Sequence, residues 1–119
     1  MTASVSYQQT ERGEVTVVAI GGRLDSSTAG GVREKLVALA QGPVKVALDL
    51  TALEWIDSSG VGALISLFKR ARTSGGDVKV GGLQAQPKEI FRLLRLEAAL
   101  EVLATVDEAV ARLAEEAAD

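Results

Sequence analysis

The chain has 119 residues, 47% of them apolar, and a formal charge of −3 with both signs interspersed, which suits one compact domain over residues 1–119 and offers no basic field for phosphate backbones or anionic lipid. It contains no cysteine and no histidine, which excludes disulfides, thiolate metal sites, a Ser-His-Asp triad, an imidazole general base and a phosphohistidine relay. Without a GxxxxGKS/T phosphate loop, the third glycine of a dinucleotide fingerprint in "GVGALI" or a run of roughly 18 to 20 apolar residues, the expectation is a cytoplasmic non-enzyme with no cofactor, no metal, no direct nucleic-acid binding and no membrane insertion.

Tyr7, Trp55, Phe68 and Phe91 are the only aromatic residues, so Val, Leu, Ile and Ala must build the core. Such residues pack well between helices and a sheet. "VSYQQT" (5–10) and "EVTVVAIGG" (14–22) are β-rich runs flanking "ERG", where Gly13 suits the positive φ of a tight hairpin connection. After "RLDSS", Ala29, Val32, Leu36, Leu39 and Ala40 recur at helical spacing and predict a first helix over 27–41. Gly30 and Gly31 inside that span each cost about 1 kcal/mol relative to alanine, which predicts a late start. "GP" at 42–43 stops the helix, and "VKVALDL" (44–50) reads as an interior strand with Val44, Val46 and Leu48 on one side.

The period returns to helical from Val61, with Val61, Leu64, Ile65 and Phe68 as the core stripe and Lys69, Arg70 and Arg72 toward the C-terminal end. "SGGD" (74–77) ends that helix. "VKVGG" (78–82) predicts a short strand, "PKEIFRLLRL" (87–96) a short helix, "LEVLAT" (100–105) a last strand and "DEAVARLAEEAA" (107–118) a closing amphipathic helix. This β-β-α-β-α-β-α-β-α order predicts an α/β fold bordering on α+β: a mixed sheet of four to five strands, with right-handed parallel crossovers, covered by about four helices.

"WIDSSGVGALI" (55–65) lies between the 44–50 strand and the second helix. Loops after the carboxyl ends of parallel strands are the usual place for functional residues, because the sheet holds them and the helix N-terminus favours anions. Asp57 or Ser58 suits the N-cap, which stabilises a helix by about 1 kcal/mol, and spacing alone says no more than that.

Two stretches together say more. "GGRLDSSTAGGVREKL" (21–36) and "VALDLTALEWIDSSGVGALISLFKRARTSGGDVKVGGL" (46–83) resemble the STAS family of bacterial anti-sigma factor antagonists, over nearly the whole chain. The most similar elements are GxLD at Gly22 to Asp25, the strand ending in "LDL", the IDSSGVG loop and the "SGGDVKV" return to the sheet. The resemblance implies a single STAS domain with Ser58 as phosphoacceptor and Ser59 in a neighbouring role. In such systems the unphosphorylated protein binds an anti-sigma factor that is also a serine kinase, and so frees a sigma factor. Phosphorylation ends that binding, and a serine phosphatase restores it. The base, magnesium and nucleotide site then belong to the kinase, in keeping with a chain that lacks histidine and a phosphate loop.

The same resemblance implies a partner-binding face that includes Gly22, Asp25, Asp57, Ser59 and Gly60, although Asp25 by itself also reads as a turn or cap residue; Arg23, beside these acidic loops, either joins that face or is a solvated charge. Gly60 and Gly62 either admit a partner backbone closely or mark tight helix-to-sheet packing. Ala63 and Leu67, one turn apart and off the predicted core stripe, extend the face unless the helix is buried more widely. Two other functions fit parts of the pattern. One is a STAS-like, non-enzymatic subunit of a lipid transporter or signalling complex; the other is a nucleotide or small-ligand binder using glycine-rich loops as an anion nest, which here lacks a cradling lysine.

Overall fold

The computed structural model describes residues 4–118. Among these, six strands and four helices follow in the order β1 (Val5–Arg12), β2 (Val15–Leu24), α1 (Ala29–Leu39), β3 (Lys45–Asp49), β4 (Leu53–Ile56), α2 (Ser58–Thr73), β5 (Asp77–Gly81), α3 (Ala85–Leu93), β6 (Glu101–Leu103) and α4 (Val106–Ala118). A single 3₁₀ turn at Leu96–Ala98 precedes β6. The expected class holds: a mixed sheet covered by four helices, with one strand more than periodicity predicts.

β1 and β2 form an antiparallel hairpin around Gly13, and the remaining pairings are parallel in the spatial order β1-β2-β3-β5-β6. β2 is long enough to serve two successive neighbours on one side. Its residues Val15 to Ala19 pair with β3, and Gly22 to Leu24 pair with β4. Between those two strands the Asp49 carboxylate accepts from the Thr51 N–H (3.1 Å) and hydroxyl (2.7 Å), and the Leu53 N–H donates to Leu50 O, which turns the chain back onto β2. β4 escapes sequence periodicity because it buries Leu53 and Ile56 while exposing Glu54 and Trp55, a spacing of three that does not alternate.

One face of the sheet, carrying Val18, Ile20, Val46, Leu48, Val78 and Val80, packs against α1, α2 and Phe91 of α3. The other face, with Val15, Val17 and Ala47, receives Ala109, Val110 and Leu113 of α4. α1 buries Ala29, Val32 and Leu36 as its spacing predicts, and it begins at Ala29 with both glycines inside its first turn. α2 lies differently from expectation. Its buried face is Gly60, Ala63, Leu64, Leu67 and Ala71, whereas Val61, Ile65 and Phe68 are only partly buried beside the core. The small side chains at 60, 63 and 71 let the helix approach the sheet closely, and that turns the larger residues toward its flanks.

Lys79 projects from β5 on the α4 side with its side chain only 8% exposed, and binds Asp77 (3.2 Å), Glu101 (2.8 Å) and Glu116 (2.9 Å). Arg72 reaches Asp77 at 3.4 Å, and Arg112 holds Glu101 from α4. Burial alone lowers the pKa of the Lys79 ammonium, but hydrogen bonds to Glu101, Glu116 and Asp77 outweigh it and leave the pKa above the ordinary lysine value. Burial pushes Asp77 up, yet its hydrogen bonds with Glu116, the Val78 N–H and Lys79 bring it below the usual carboxylate range. Glu101 is lowered chiefly by the Lys79 hydrogen bond.

The depressed carboxylates contribute stability above their unfolded pKa of about 4, lost as pH falls through the folded values; the raised lysine contributes below about 10.4, lost as pH rises through its folded pKa. Lys79→Met leaves Asp77 buried without its main cation, so urea unfolding near neutral pH should show a loss of about 3 kcal/mol. The difference from the parent should narrow as pH drops from about 5 to about 2, because the parent then gives up the same carboxylate interactions. A difference that stays constant across that range would mean the cluster contributes packing alone.

Candidate functional site

The parallel pairing of β2 with β4 sets Arg23 beside Trp55 and Leu24 beside Ile56, so both strands end at one place and α1 and α2 start next to each other. Asp57 ties the two connections together. Its Oδ1 accepts from the N–H groups of Ser59 (2.9 Å) and Gly60 (3.1 Å), capping α2, and its Oδ2 accepts from the Ser26 N–H of the other loop (3.2 Å). Its own N–H donates to Leu24 O at 3.3 Å, extending the β2–β4 pairing to the point where α2 begins.

The 25–28 turn is closed by its own side chains. Asp25 Oδ1 accepts from the Ser27 N–H (2.9 Å) and hydroxyl (2.7 Å), the Thr28 hydroxyl donates to Arg23 O (2.8 Å), and the Asp25 N–H donates to Thr28 Oγ1 (2.9 Å). Hydrogen bonds from the Ser27 hydroxyl and N–H hold the Asp25 carboxyl below its ordinary pKa. Arg23 Nε lies 3.7 Å from Asp25 Oδ2, and its guanidinium rests over the Trp55 ring, 5.0 Å from the centroid. A shallow cleft of about 300 Å³ opens between the helix starts, lined by Ser26, Ala29, Gly30, Arg33, Ser59 and Gly62. Among the described residues, no group of three or more Asp or Glu side chains is placed to hold a metal ion, and no helix is long and apolar enough to cross a membrane.

The STAS domain model matches residues 6–109, spanning both loops and all of the sheet but Val5. The chain belongs to the STAS domain family. It is 29% identical over 104 residues to an anti-sigma-B factor antagonist of Bacillus subtilis strain 168, covering 87% of this chain and 94% of the relative. Its fold matches an anti-sigma factor antagonist from Mycobacterium paratuberculosis with a TM-score of 0.84 at 21% identity, over 92% of this chain and 94% of that one. It also matches SpoIIAA of Bacillus at 24% identity in both an unphosphorylated form (TM-score 0.77, over 92% of this chain and 97% of that one) and a phosphorylated form (TM-score 0.70, over 90% and 98%).

Within this STAS fold the expected site residues fall into two groups. Ser58 and Ser59 are exposed at the start of α2, Arg23 is exposed, and Asp25 and Asp57 are half-buried on the adjoining loops, so these five stand together. Ala63 and Leu67, expected on the partner face, are instead sealed in the core at 1% and 0% exposure and present nothing to a partner. Gly60 is also buried: a Cβ there would collide with Leu24 O and come within 2.7 Å of Ile56 Cγ1, so it serves close packing of α2 on the strand ends. Gly22 has φ +80 at the register shift between Gly22 and Arg23, within the β4-paired part of β2, and a Cβ would meet Ser4 O at 2.6 Å. Its role is to shape the loop from beneath.

Two contributors are absent from the sequence-based set. Trp55 carries no site role in the sequence pattern, yet it is 38% exposed beside Arg23. Gln86, on α3, accepts from the Ile56 N–H (2.9 Å) and donates to Ile56 O (2.8 Å), acting as a substitute strand along the free edge of β4. The isolated tryptophan next to "IDSS" was a usable signal; nothing in the sequence marks Gln86.

The two glycines of "SGVG" now separate. Gly60→Ala should destabilise the protein by about 1 to 3 kcal/mol, since a methyl group has to force helix and strands apart. Gly62→Ala, exposed in the same helix with nothing near its Cβ position, should stabilise by up to about 1 kcal/mol. Chemical denaturation of the pair decides this, and equal effects would contradict the packing assigned to Gly60.

Proposed function

We propose that this STAS chain is an anti-sigma factor antagonist. Its unphosphorylated form binds an anti-sigma factor with serine kinase activity and frees a sigma factor, and phosphorylation of Ser58 switches that binding off. The observation that carries the proposal is Ser58 itself, an exposed residue opening α2, whose hydroxyl meets no hydrogen-bond partner among the described residues. The name of the Bacillus subtilis relative and the two solved forms of SpoIIAA support the same conclusion.

The chain acts here as a binding protein and substrate in the cytoplasm. The γ-phosphoryl group of ATP passes to Ser58 Oγ as its bond to ADP breaks, and the hydroxyl proton goes to a base on the kinase, which also brings magnesium and nucleotide. A serine phosphatase returns the hydroxyl by hydrolysis. The backbone around Ser58 suits this exchange, because Asp57 already caps Ser59 and Gly60, leaving the first residue of the helix free to carry a new group.

Phosphoserine brings about −1.5 to −2 charges. At a helix N-terminus each charge is favoured by about 0.3 to 1 kcal/mol, and the nearby Asp57 and Asp25 carboxylates oppose it, so the net effect on folding is small. On a docking surface the same charge has to be desolvated or brought against like charge, at a cost of several kcal/mol. Binding changes while the fold persists.

Ser58→Ala should abolish ATP-dependent labelling by the partner kinase with the fold intact, read by mass spectrometry; phosphate found on Ser59 of the unsubstituted protein would move the site. Ser58→Asp should weaken anti-sigma binding while the melting temperature stays nearly unchanged. Because aspartate carries one charge, the phosphoprotein belongs in the same calorimetric titration. Phosphoprotein that binds as tightly as the unmodified chain would end the repulsive-switch mechanism.

A further inference from the structure

We infer that Arg23, stacked on Trp55, is the anchor by which this face grips its protein partner, and that the group it receives is a carboxylate of that partner. The partner's identity rests on the antagonist role proposed above; the chemistry of the contact rests on which charges the two loops leave unspent.

Three charged side chains lie in segments 23–29 and 55–60: Arg23, Asp25 and Asp57. Asp57 spends Oδ1 on the Ser59 and Gly60 N–H groups and Oδ2 on the Ser26 N–H. Asp25 spends Oδ1 on the Ser27 N–H and hydroxyl, and turns Oδ2 toward Arg23 Nε at 3.7 Å. The two acids are therefore committed to holding the loops. Arg23 is not: only its Nε edge addresses Asp25, its side chain is 49% exposed, and its remaining N–H groups meet no hydrogen-bond acceptor among the described residues. Glu54 is exposed next door on β4, but among the described residues the ion pair that Arg23 makes is with Asp25 and not with Glu54.

The setting makes Arg23 a prepared donor. Its guanidinium lies over the indole ring, 5.0 Å from the centroid, with the Asp25 carboxylate near its Nε edge, an arrangement that limits the side-chain freedom lost on docking. A guanidinium with its Nε edge toward Asp25 leaves the Nη groups free in the fork that matches a carboxylate. Trp and Arg are also the residue types that dominate interface energetics, and here they occur as one exposed pair across β2 and β4, whose ends adjoin Ser58. A partner carboxylate seated there is a like charge to the phosphate that Ser58 would carry, which gives the switch a specific contact to break.

The test uses the full chain and a panel of purified anti-sigma factor serine kinases from the source organism, by calorimetric titration in low salt. With the panel member that binds the parent, Arg23→Glu should weaken affinity about 30-fold or more, and Arg23→Lys, which keeps the charge and loses the stacked fork, about 5- to 10-fold. Replacing the responsible acidic residue of the kinase by arginine should restore binding to Arg23→Glu and weaken binding to the parent. Melting curves of both variants control for folding, and Arg23→Lys retains the test should Arg23→Glu unfold. If Arg23→Glu binds within about threefold of the parent while Ser58→Asp does not bind, the anchor is wrong and the antagonist role stands. If no panel member binds the parent chain, both are overturned.

Discussion

The site depends on the Asp57 carboxylate. One oxygen satisfies the first-turn N–H groups of α2 and the other reaches across to Ser26, so a single side chain fixes where one helix begins and where the neighbouring loop lies. Backbone donors at a helix N-terminus have no intrahelical partner and must be met from outside. Because Asp57 meets those of Ser59 and Gly60, the helix starts one residue after β4 ends, with no intervening loop to move Ser58 away from the strand ends. Ser58 is consequently held at the surface by a rigid frame, and its own hydroxyl is left out of that frame.

Beneath Asp57 the arrangement follows from the length of β2. A strand that pairs with β3 along its first half and with β4 along its second lets the chain leave the sheet, turn through Asp49 and Thr51, and return to the same neighbour. β4 then has an open edge, which in general invites non-native pairing. The Gln86 amide occupies that edge at Ile56, so α3 is linked to the loops that carry the candidate site. Gly60 completes the assembly from the helix side by letting α2 sit directly on Leu24 and Ile56.

This construction accords with a protein whose chemistry is supplied by others. The loops present the free Ser58 hydroxyl, two committed carboxylates and one cation stacked on an aromatic ring, and among the described residues no group is hydrogen-bonded to Ser58 Oγ as a base. The protein's stability is provided elsewhere, by two apolar layers and by the Lys79 ion cluster beneath α4 on the other face of the sheet, so a change of charge at Ser58 need not disturb the core.

The sequence by itself determined much of the element order, the interior position of β3, the core face of α1, the amphipathic character of α4, and the family, because these follow from local periodicity, glycine and proline punctuation and the IDSSGVG loop between strand and helix. Asp57 as a cap was legible for the same reason: capping is a contact between residues two and three apart. Tertiary structure decided what local pattern leaves degenerate. Ala63 and Leu67 went inside, and Val61 and Phe68 to the flank, because α2 has apolar residues on more than one side and the sheet selects the side whose small residues permit the closest approach. β4 exists only because β2 has unpaired length to offer it. The meeting of Arg23 with Trp55, of Asp57 with Ser26 and of Gln86 with Ile56 joins residues about thirty positions apart, and the register between strands, which no short window of sequence contains, is what places them in contact.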